Sequence, residues 1–253
     1  MKKNKINSEE NTAESNDVSR GTDIITLRRT AKEARRHKLV MRFLGVLATI
    51  LTSIIAVAYA FSYFYEKFGA YTVRVNKYDM INQGLTLSET PEYEKSTAVL
   101  NADILYDMTN ISGLDIADNV DKINGAHNGE NYIAYTFYLI NAGDDTLTYN
   151  GKMNIDSVKG GVDEAIRVAV YKNGEKAVYG KTKSDGSGIE SDCDYEFESS
   201  TVIMTTKTTE FEPGAKDKYT VVIWLEGNDP DCLDNIVGGT IKLGMNFKIV
   251  EDT

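Results

Sequence analysis

Two acidic segments in the second half of the chain hold the residues best suited to bind a ligand. The first runs from Ser184 to Glu198 and the second from Glu226 to Asn235. Ca²⁺ prefers oxygen ligands, and a calcium site needs about six to eight of them. If the segments meet, they could supply such a site from the candidates Asp192, Asp194, Asp229, Asp231 and Asp234. Neither segment has the spacing of an EF-hand, so two solvated acidic loops remain the alternative.

The two cysteines of the chain, Cys193 and Cys232, lie one in each acidic segment. Both stand in polar surroundings rather than in apolar strands, and a compartment outside the cytoplasm permits oxidation. We therefore predict a disulfide between them, which would make the two segments neighbours. Free buried cysteines are common in folded proteins, and that alternative stays open.

Residues typical of catalysis are sparse in this sequence. It has no G-x-S-x-G elbow, no P-loop, no dinucleotide-binding glycine motif and no H-E-x-x-H zinc motif. His127 stands among Gly and Asn residues, where we expect it to be solvated. The many acids that follow residue 65 guarantee a carboxylate pair somewhere, so such a pair says nothing about glycoside hydrolysis. The sequence predicts a non-enzymatic protein without a small-molecule substrate, and without a cofactor other than Ca²⁺ at the acidic loops.

Charge is divided unevenly along the chain. Residues 1–65 carry a net charge of +5, and residues 66–253 carry a net charge of −15. Nucleic-acid binding needs Lys and Arg at the phosphates, so the acidic part is unsuited to it. Its charge suits cations or basic partners, or serves only to keep an exported domain soluble.

An uncharged apolar segment extends from Phe43 to Tyr65. Roughly 20 apolar residues span a bilayer as a helix, so this segment predicts a transmembrane helix, with residues 39–65 as its bounds. Seven basic residues lie between positions 28 and 42, just before it, and the positive-inside rule places the N-terminus in the cytoplasm and the C-terminal domain outside the cell. These are Arg28, Arg29, Lys32, Arg35, Arg36, Lys38 and Arg42.

Residues 1–38 are predicted to form a basic cytoplasmic tail. The first 21 residues or so are polar and without periodicity, which is typical of disorder. Thr22 to Lys38 favours a juxtamembrane helix on anionic lipid, with docking of a cytoplasmic partner as the alternative. Ala58 and Ala60 form an A-x-A signal-cleavage candidate, but the long preceding segment favours a retained anchor.

Beyond the membrane segment the hydrophobic period changes to two, which indicates β-strands. Alternating apolar faces mark four of them: Ile133 to Leu139, Ile166 to Val170, Tyr219 to Leu225 and Ile241 to Ile249. Asn173-Gly174 is the preferred pair of a type I′ hairpin turn. Asn101 to Asn128 is predicted to be a long loop. About seven to nine strands with short turns predict a mainly β domain over residues 66–253, an antiparallel, jelly-roll-like β-sandwich.

Several segments carry a family resemblance. They are the run from Tyr219 to Cys232 (YTVVIWLEGNDPDC) with Ile236-Val-Gly-Gly239, and the earlier stretches Tyr71 to Val75, Gly84 to Ser88 and Asn128 to Tyr138. With these, the chain resembles a group of largely uncharacterised, membrane-anchored exported proteins of Gram-positive bacteria. More distantly it is similar to camelysin/TasA-like jelly-roll proteins, some of which build extracellular fibres. The basic tail and the retained anchor depart from the fibre proteins.

Together these observations predict a single-pass, membrane-anchored binding or scaffold module of the bacterial cell envelope, with envelope proteins as partners and the membrane bound through Phe43–Tyr65. One alternative is a bitopic subunit of a signalling, secretion or conjugation complex. A second, which the distant resemblance implies, is a secreted fibre or matrix subunit released by signal cleavage. A third is an exported hydrolase that uses carboxylates of the domain.

Overall fold

The computed structural model describes residues 35–36, 38–60 and 70–250. The chain divides into two compact units, Met1–Tyr65 and Glu66–Thr253. In the first unit, helix α1 spans Lys38–Ala60 and is long and apolar enough to cross a membrane. The predicted tail before residue 35, and the predicted end of the membrane segment at residues 61–65, lie outside the described residues.

The second unit, called the β unit below, contains twelve strands and one short α-helix within its described residues. The strands are β1 (Tyr71–Val75), β2 (Leu85–Ser88), β3 (Val99–Asn101), β4 (Gly125–Ala126), β5 (Tyr132–Asn141), β6 (Leu147–Lys159), β7 (Ile166–Lys172), β8 (Glu175–Gly180), β9 (Tyr195–Glu196), β10 (Val202–Phe211), β11 (Lys216–Leu225) and β12 (Thr240–Ile249). Helix α2 spans Lys77–Gln83. Short 3-10 turns cover Gly113–Asp115, Val120–Lys122, Val162–Glu164 and Asp234–Ile236.

The strands form two sheets. Sheet 1 has the order β10-β6-β12-β1-β3, and sheet 2 has the order β2-β5-β11-β7-β8-β9, with β4 paired to β5. Most neighbours are antiparallel, but β1 pairs with β12 and β8 with β9 in parallel. The predicted fold class is confirmed: a mainly β unit of two sheets, preceded by a helix that could span a membrane.

The inner faces of the two sheets share one apolar core. The period-two residues that predicted the strands are the ones that fill it, because alternate side chains of a strand point to the same face. Phe247 of β12 shows how the sheets meet. Its ring lies 6.0 Å from that of Phe137, 5.8 Å from Tyr149 and 5.3 Å from Tyr219, measured between centroids. Ile241 and Ile249, at the ends of β12, are only partly buried.

A second apolar cluster covers the opposite, outer face of sheet 2. Val120, from the long segment between β3 and β5, packs there with Trp224. The rest of the cluster comes from strands β5, β7, β8 and β11, namely Ala134, Ala169, Val178 and Val222. As a result, nearly every residue of β5 is buried, on both faces of its strand.

Turn and cap residues explain two local features. Asn173 and Gly174 both have positive φ, 52° and 91°, as a type I′ turn requires, and they join β7 to β8 as predicted. Helix α2 was not predicted. Asn76 caps its start by accepting a hydrogen bond from Tyr78 N at 2.9 Å, and Gly84 ends it with φ 75°. Such a cap pair is the signal that could have identified a helix of seven residues.

Candidate functional site

Arg167 lies at the centre of the candidate site. Its side chain is only 1% exposed, although it is charged. It stands between the core residues Ile166 and Val168 on β7, so it points to the outer face of sheet 2. Its Nε lies 2.9 Å from Asp192 Oδ2, and its Nη2 lies 2.7 Å from Asp229 Oδ2. Burial lowers the pKa of Arg167, but hydrogen bonds from the guanidinium to these carboxylates raise it further, so the side chain stays charged.

These contacts bring the two acidic segments together. Asp192 belongs to the first and Asp229 to the second, and Arg167 bridges them. A second link comes from Ser184, whose Oγ donates a hydrogen bond to Asp231 Oδ1 at 2.7 Å and whose backbone N lies 3.3 Å from Asp231 Oδ2. The segments are therefore neighbours through an ion-pair bridge and a hydroxyl contact, which require no disulfide.

The structure distributes the five calcium candidates among different roles. Asp229 and Asp231 join Glu190 in a group whose ligand oxygens all lie within 4.8 Å of one another. Asp192 is engaged by Arg167, and Asp194 accepts a hydrogen bond from Val178 N at 2.8 Å. Asp234 is exposed in a 3-10 turn. Of the five, two lie in the group, and its third member, Glu190, was not among the predicted ligands.

Glu190 experiences repulsion that its neighbours only partly offset. Its pKa is raised, first by burial and then by the charge of Asp229, while Arg167 and Lys183 act in the opposite direction. Burial disfavours the charged form of a carboxyl group, and a nearby like charge does the same. The site thus holds a carboxylate whose charged form is destabilised.

Cys193 and Cys232 are free thiols in this structure. Cys193 packs closely, because a Cβ at Gly180 would lie only 2.5 Å from its Sγ. Burial raises the pKa of the Cys193 thiol to about 12, and burial followed by the charge of Asp229 raises that of Cys232. The disulfide stays a prediction, which mass spectrometry of the unreduced protein would decide. Two freely alkylated thiols would contradict it.

Glu226 is a buried carboxylate whose hydrogen bonds are satisfied. Its Oε2 accepts from Trp224 Nε1 at 3.0 Å and from Gly113 N at 2.9 Å. Its Oε1 accepts from Asn228 N at 3.1 Å and Asn228 Nδ2 at 3.0 Å. Through Gly113, Glu226 fastens the segment between β3 and β5 to the end of β11. This is a structural role, and it places Trp224 close to the second acidic segment.

The surroundings of His127 differ from the prediction that it is solvated. The ring is half-buried, its Nδ1 lies 2.8 Å from Gly125 O, and its Nε2 lies 2.8 Å from Val120 O. The imidazole thus lies between two backbone carbonyls, and in its neutral form it can donate a hydrogen bond to one of them. Neither nitrogen is directed at a nucleophile.

A cleft of about 470 Å³ opens beside strands β8 and β10. Tyr179 and Tyr195 stack along it, with ring centroids 5.4 Å apart. Charged and polar side chains make up much of the rest of the lining: Lys172, Glu175, Lys176, Asp194 and Thr206. Such a lining suits a polar ligand or a polar chain segment better than an apolar small molecule.

Helix α1 contains both residues of the candidate cleavage site. Ala58 and Ala60 lie in its last described turn and Tyr59, between them, is exposed. The apolar side chains of α1 are exposed along its whole length, and none of its most apolar window is buried. Its Thr49, Thr52 and Ser53 hydroxyls donate back to helix carbonyls, as is common for hydroxyls in apolar helices.

No protein-family model matches this chain, and no curated protein is significantly similar to it. Among solved structures, the β-glucosidase from Kluyveromyces marxianus in complex with glucose aligns with 67% of this chain at 12% identity and a TM-score of 0.24. The alignment spans 15% of that chain. A likeness at this level carries no argument about the fold or the activity of the present protein.

Proposed function

We propose that this protein is a single-pass, membrane-anchored module of the bacterial cell envelope, which acts by binding or scaffolding rather than by catalysis. The observation that carries the proposal is the exposure of α1. A helix with that much apolar surface would be strongly disfavoured in water, at roughly 25 cal/mol for each Å² left unburied. A bilayer removes the cost, and the basic residues before the helix favour a cytoplasmic N-terminus with the β unit outside.

Two observations support binding over catalysis. Both nitrogens of His127 are engaged by backbone carbonyls, which leaves this residue without a part in a nucleophilic triad. The β unit meanwhile offers a polar cleft and an open outer face on sheet 1, and both suit contacts with another macromolecule.

The anchor is tested by protease treatment of intact, wall-stripped cells. We expect loss of the β unit and survival of a small membrane-bound N-terminal fragment. The matched variant is Ala60→Leu, which blocks signal cleavage but leaves an anchor intact. Parent and variant should have the same size in untreated cells. A soluble parent chain that starts at Phe61, with a longer Ala60→Leu chain, would contradict a retained anchor.

The scaffold role is tested by crosslinking in intact cells and purification of the chain with its partners. We expect the same envelope partners from the full chain and from a chain without residues 1–27. A chain limited to residues 1–65 is the control and should recover none of them. Loss of the partners on deleting residues 1–27 would instead favour the bitopic complex subunit, because that segment would then carry the contact.

A further inference from the structure

We propose that Glu190, Asp229 and Asp231 form a binding site for a hard divalent cation of the calcium class. The inference goes beyond the proposed function and does not depend on it. Each residue offers one carboxylate oxygen, and these oxygens lie within 4.8 Å of one another. Oxygens bound to one calcium ion at about 2.3–2.6 Å can be at most about 5 Å apart, so the spacing fits one ion.

A second, independent observation is that the side chain of Glu190 has no hydrogen-bond or ion-pair partner among the described residues. Among the residues that the structure describes, seven acidic side chains are buried: Asp79, Asp121, Asp163, Glu190, Asp217, Glu226 and Asp229. Six of them have a hydrogen bond or an ion pair, and their partners are Ile249 N, Lys122, Lys181, Asn173, Trp224 and Arg167 respectively. Glu190 is 7% exposed and has neither among the described residues.

Glu190 is a largely buried residue whose carboxylate oxygens keep access to water but have no hydrogen-bond donor and no ion-pair partner among the described residues, so its charge is poorly compensated. Its carboxylate lies in the same group of oxygens as those of Asp229 and Asp231, whose negative charges repel its own. A bound cation removes both costs at once, because it supplies the missing counter-charge and the missing contact. The raised pKa of Glu190, from burial and from Asp229, is consistent with this need.

Arg167 positions the site without neutralising it. Its Nη2 holds Asp229 Oδ2 at 2.7 Å, while Asp229 Oδ1 accepts a hydrogen bond from Asp231 N at 2.7 Å. These contacts fix the two aspartates of the second acidic segment relative to β7. Four carboxylates, those of the three ligands and Asp192, face the two cations Arg167 and Lys183. Negative charge therefore remains in excess, and water and nearby backbone would complete the coordination.

The test uses the purified full chain in detergent, stripped of metal and titrated with CaCl₂ at constant ionic strength. Trp224, the single tryptophan, reports on unfolding of the β unit and adjoins the second acidic segment. We expect a saturable rise in the melting temperature with a dissociation constant of about 10⁻⁴–10⁻³ M, in the range of extracellular calcium modules. Calorimetry should give one ion per chain, with weaker binding of MgCl₂.

The decisive variant is Glu190→Gln, which keeps the shape of the side chain and removes its charge. In chelator it should be at least as stable as the parent, but its calcium affinity should fall roughly tenfold or more. Asp231→Asn, at a half-buried position, should weaken binding similarly and serves if Glu190→Gln does not fold. Asp234→Asn, in the same segment but exposed and outside the group, is the matched control and should bind like the parent.

Two results would overturn the proposal. One is a parent chain whose melting temperature does not respond to calcium up to about 10 mM, well above the range expected for such sites. The other is an equal response in the parent, Glu190→Gln and Asp231→Asn, which would mean diffuse attraction of the ion to an acidic surface. In either case Glu190 is an acidic residue that the fold accommodates without a bound cation.

Discussion

Sheet 1 and sheet 2 share one apolar core, but their outer faces are covered differently. On sheet 1 the outer face meets solvent, and Lys152, Lys207 and Lys248 are exposed there. On sheet 2 the segment between β3 and β5 lies over the strands and buries Trp224, while the acidic segments enclose Arg167. This segment, which holds two 3-10 turns and the short strand β4, thus forms a third layer on one side only. Replacing a charged residue on the outer face of sheet 2 should therefore lower the free energy of unfolding more than replacing one on the outer face of sheet 1.

The largest effect is expected for a charge placed between the sheets. Phe247→Asp puts a carboxylate among the rings of Phe137, Tyr149 and Tyr219 in the apolar core, and we expect the β unit not to fold. Its neighbour Lys248 lies on the open outer face of sheet 1. Lys248→Ala should change the free energy of unfolding by less than about 0.5 kcal/mol. Thermal unfolding of the two variants measures the contrast, and a cooperative parent-like transition in Phe247→Asp would contradict it.

The second prediction compares one arginine on each outer face. Arg167→Met leaves two carboxylates without their buried partner and should cost about 3–5 kcal/mol. Arg74 also pairs with an aspartate, Asp156, at 3.4 Å, but both side chains are well exposed. Arg74→Met should cost about 0–1 kcal/mol. Denaturant unfolding followed by Trp224 fluorescence gives both values. Equal costs would mean that Arg167 is not buried from solvent on the outer face of sheet 2.

The third prediction tests the loop as a covering layer. Val120→Ala removes apolar contacts with Trp224 and its neighbours and should cost about 1–2 kcal/mol, from about 0.8 kcal/mol for each buried methylene-sized group. Val158 on β6 of sheet 1 is 39% exposed, against 1% for Val120. Val158→Ala should stay within about 0.5 kcal/mol of the parent. If both valines cost the same, the segment that carries Val120 does not pack on sheet 2 in solution.

The smallest effect concerns pH and Glu190. Its pKa in the folded protein is raised above the ordinary value of 4.5, mainly by burial. A carboxyl group with a raised folded pKa favours folding below its unfolded pKa and loses that contribution as pH rises through the folded pKa. In chelator, Glu190→Gln should therefore match the parent near pH 4 and become the more stable chain toward neutral pH. Urea unfolding across this pH range is the measurement, and a constant difference would contradict burial of the charge.

The sequence predicted the parts of the fold that repeat locally. Strands β5, β7, β11 and β12 followed from period two, because their inward residues must be apolar whatever covers the other face. The turn at Asn173-Gly174 followed from its need for positive φ. Helix α2 was missed because seven residues hold too little apolar periodicity, and only its caps at Asn76 and Gly84 mark it.

The candidate site was predicted only in part, since its contacts are distant in sequence. The acidic segments were identified, but a charged residue such as Arg167 is ordinarily read as exposed. Its partner Asp192 lies 25 positions away, and no spacing rule connects them. Glu190 could not be separated from its acidic neighbours, because burial by another loop is a tertiary property.

The parallel pairing of β1 with β12 has a consequence for the order of assembly. Strand β12 alone joins the β6–β10 half of sheet 1 to the β1–β3 half, and Tyr71 reaches Met245 across 174 positions of sequence. During synthesis β1 therefore emerges long before the strand that completes it, and one edge of β1 stays unpaired in the meantime. Closing so long a loop is entropically costly and makes such pairings late in folding. Sheet 1 can therefore be completed only after β12 has been synthesised and has paired with β1. Protection of β1 amides from hydrogen exchange should develop together with that of β12.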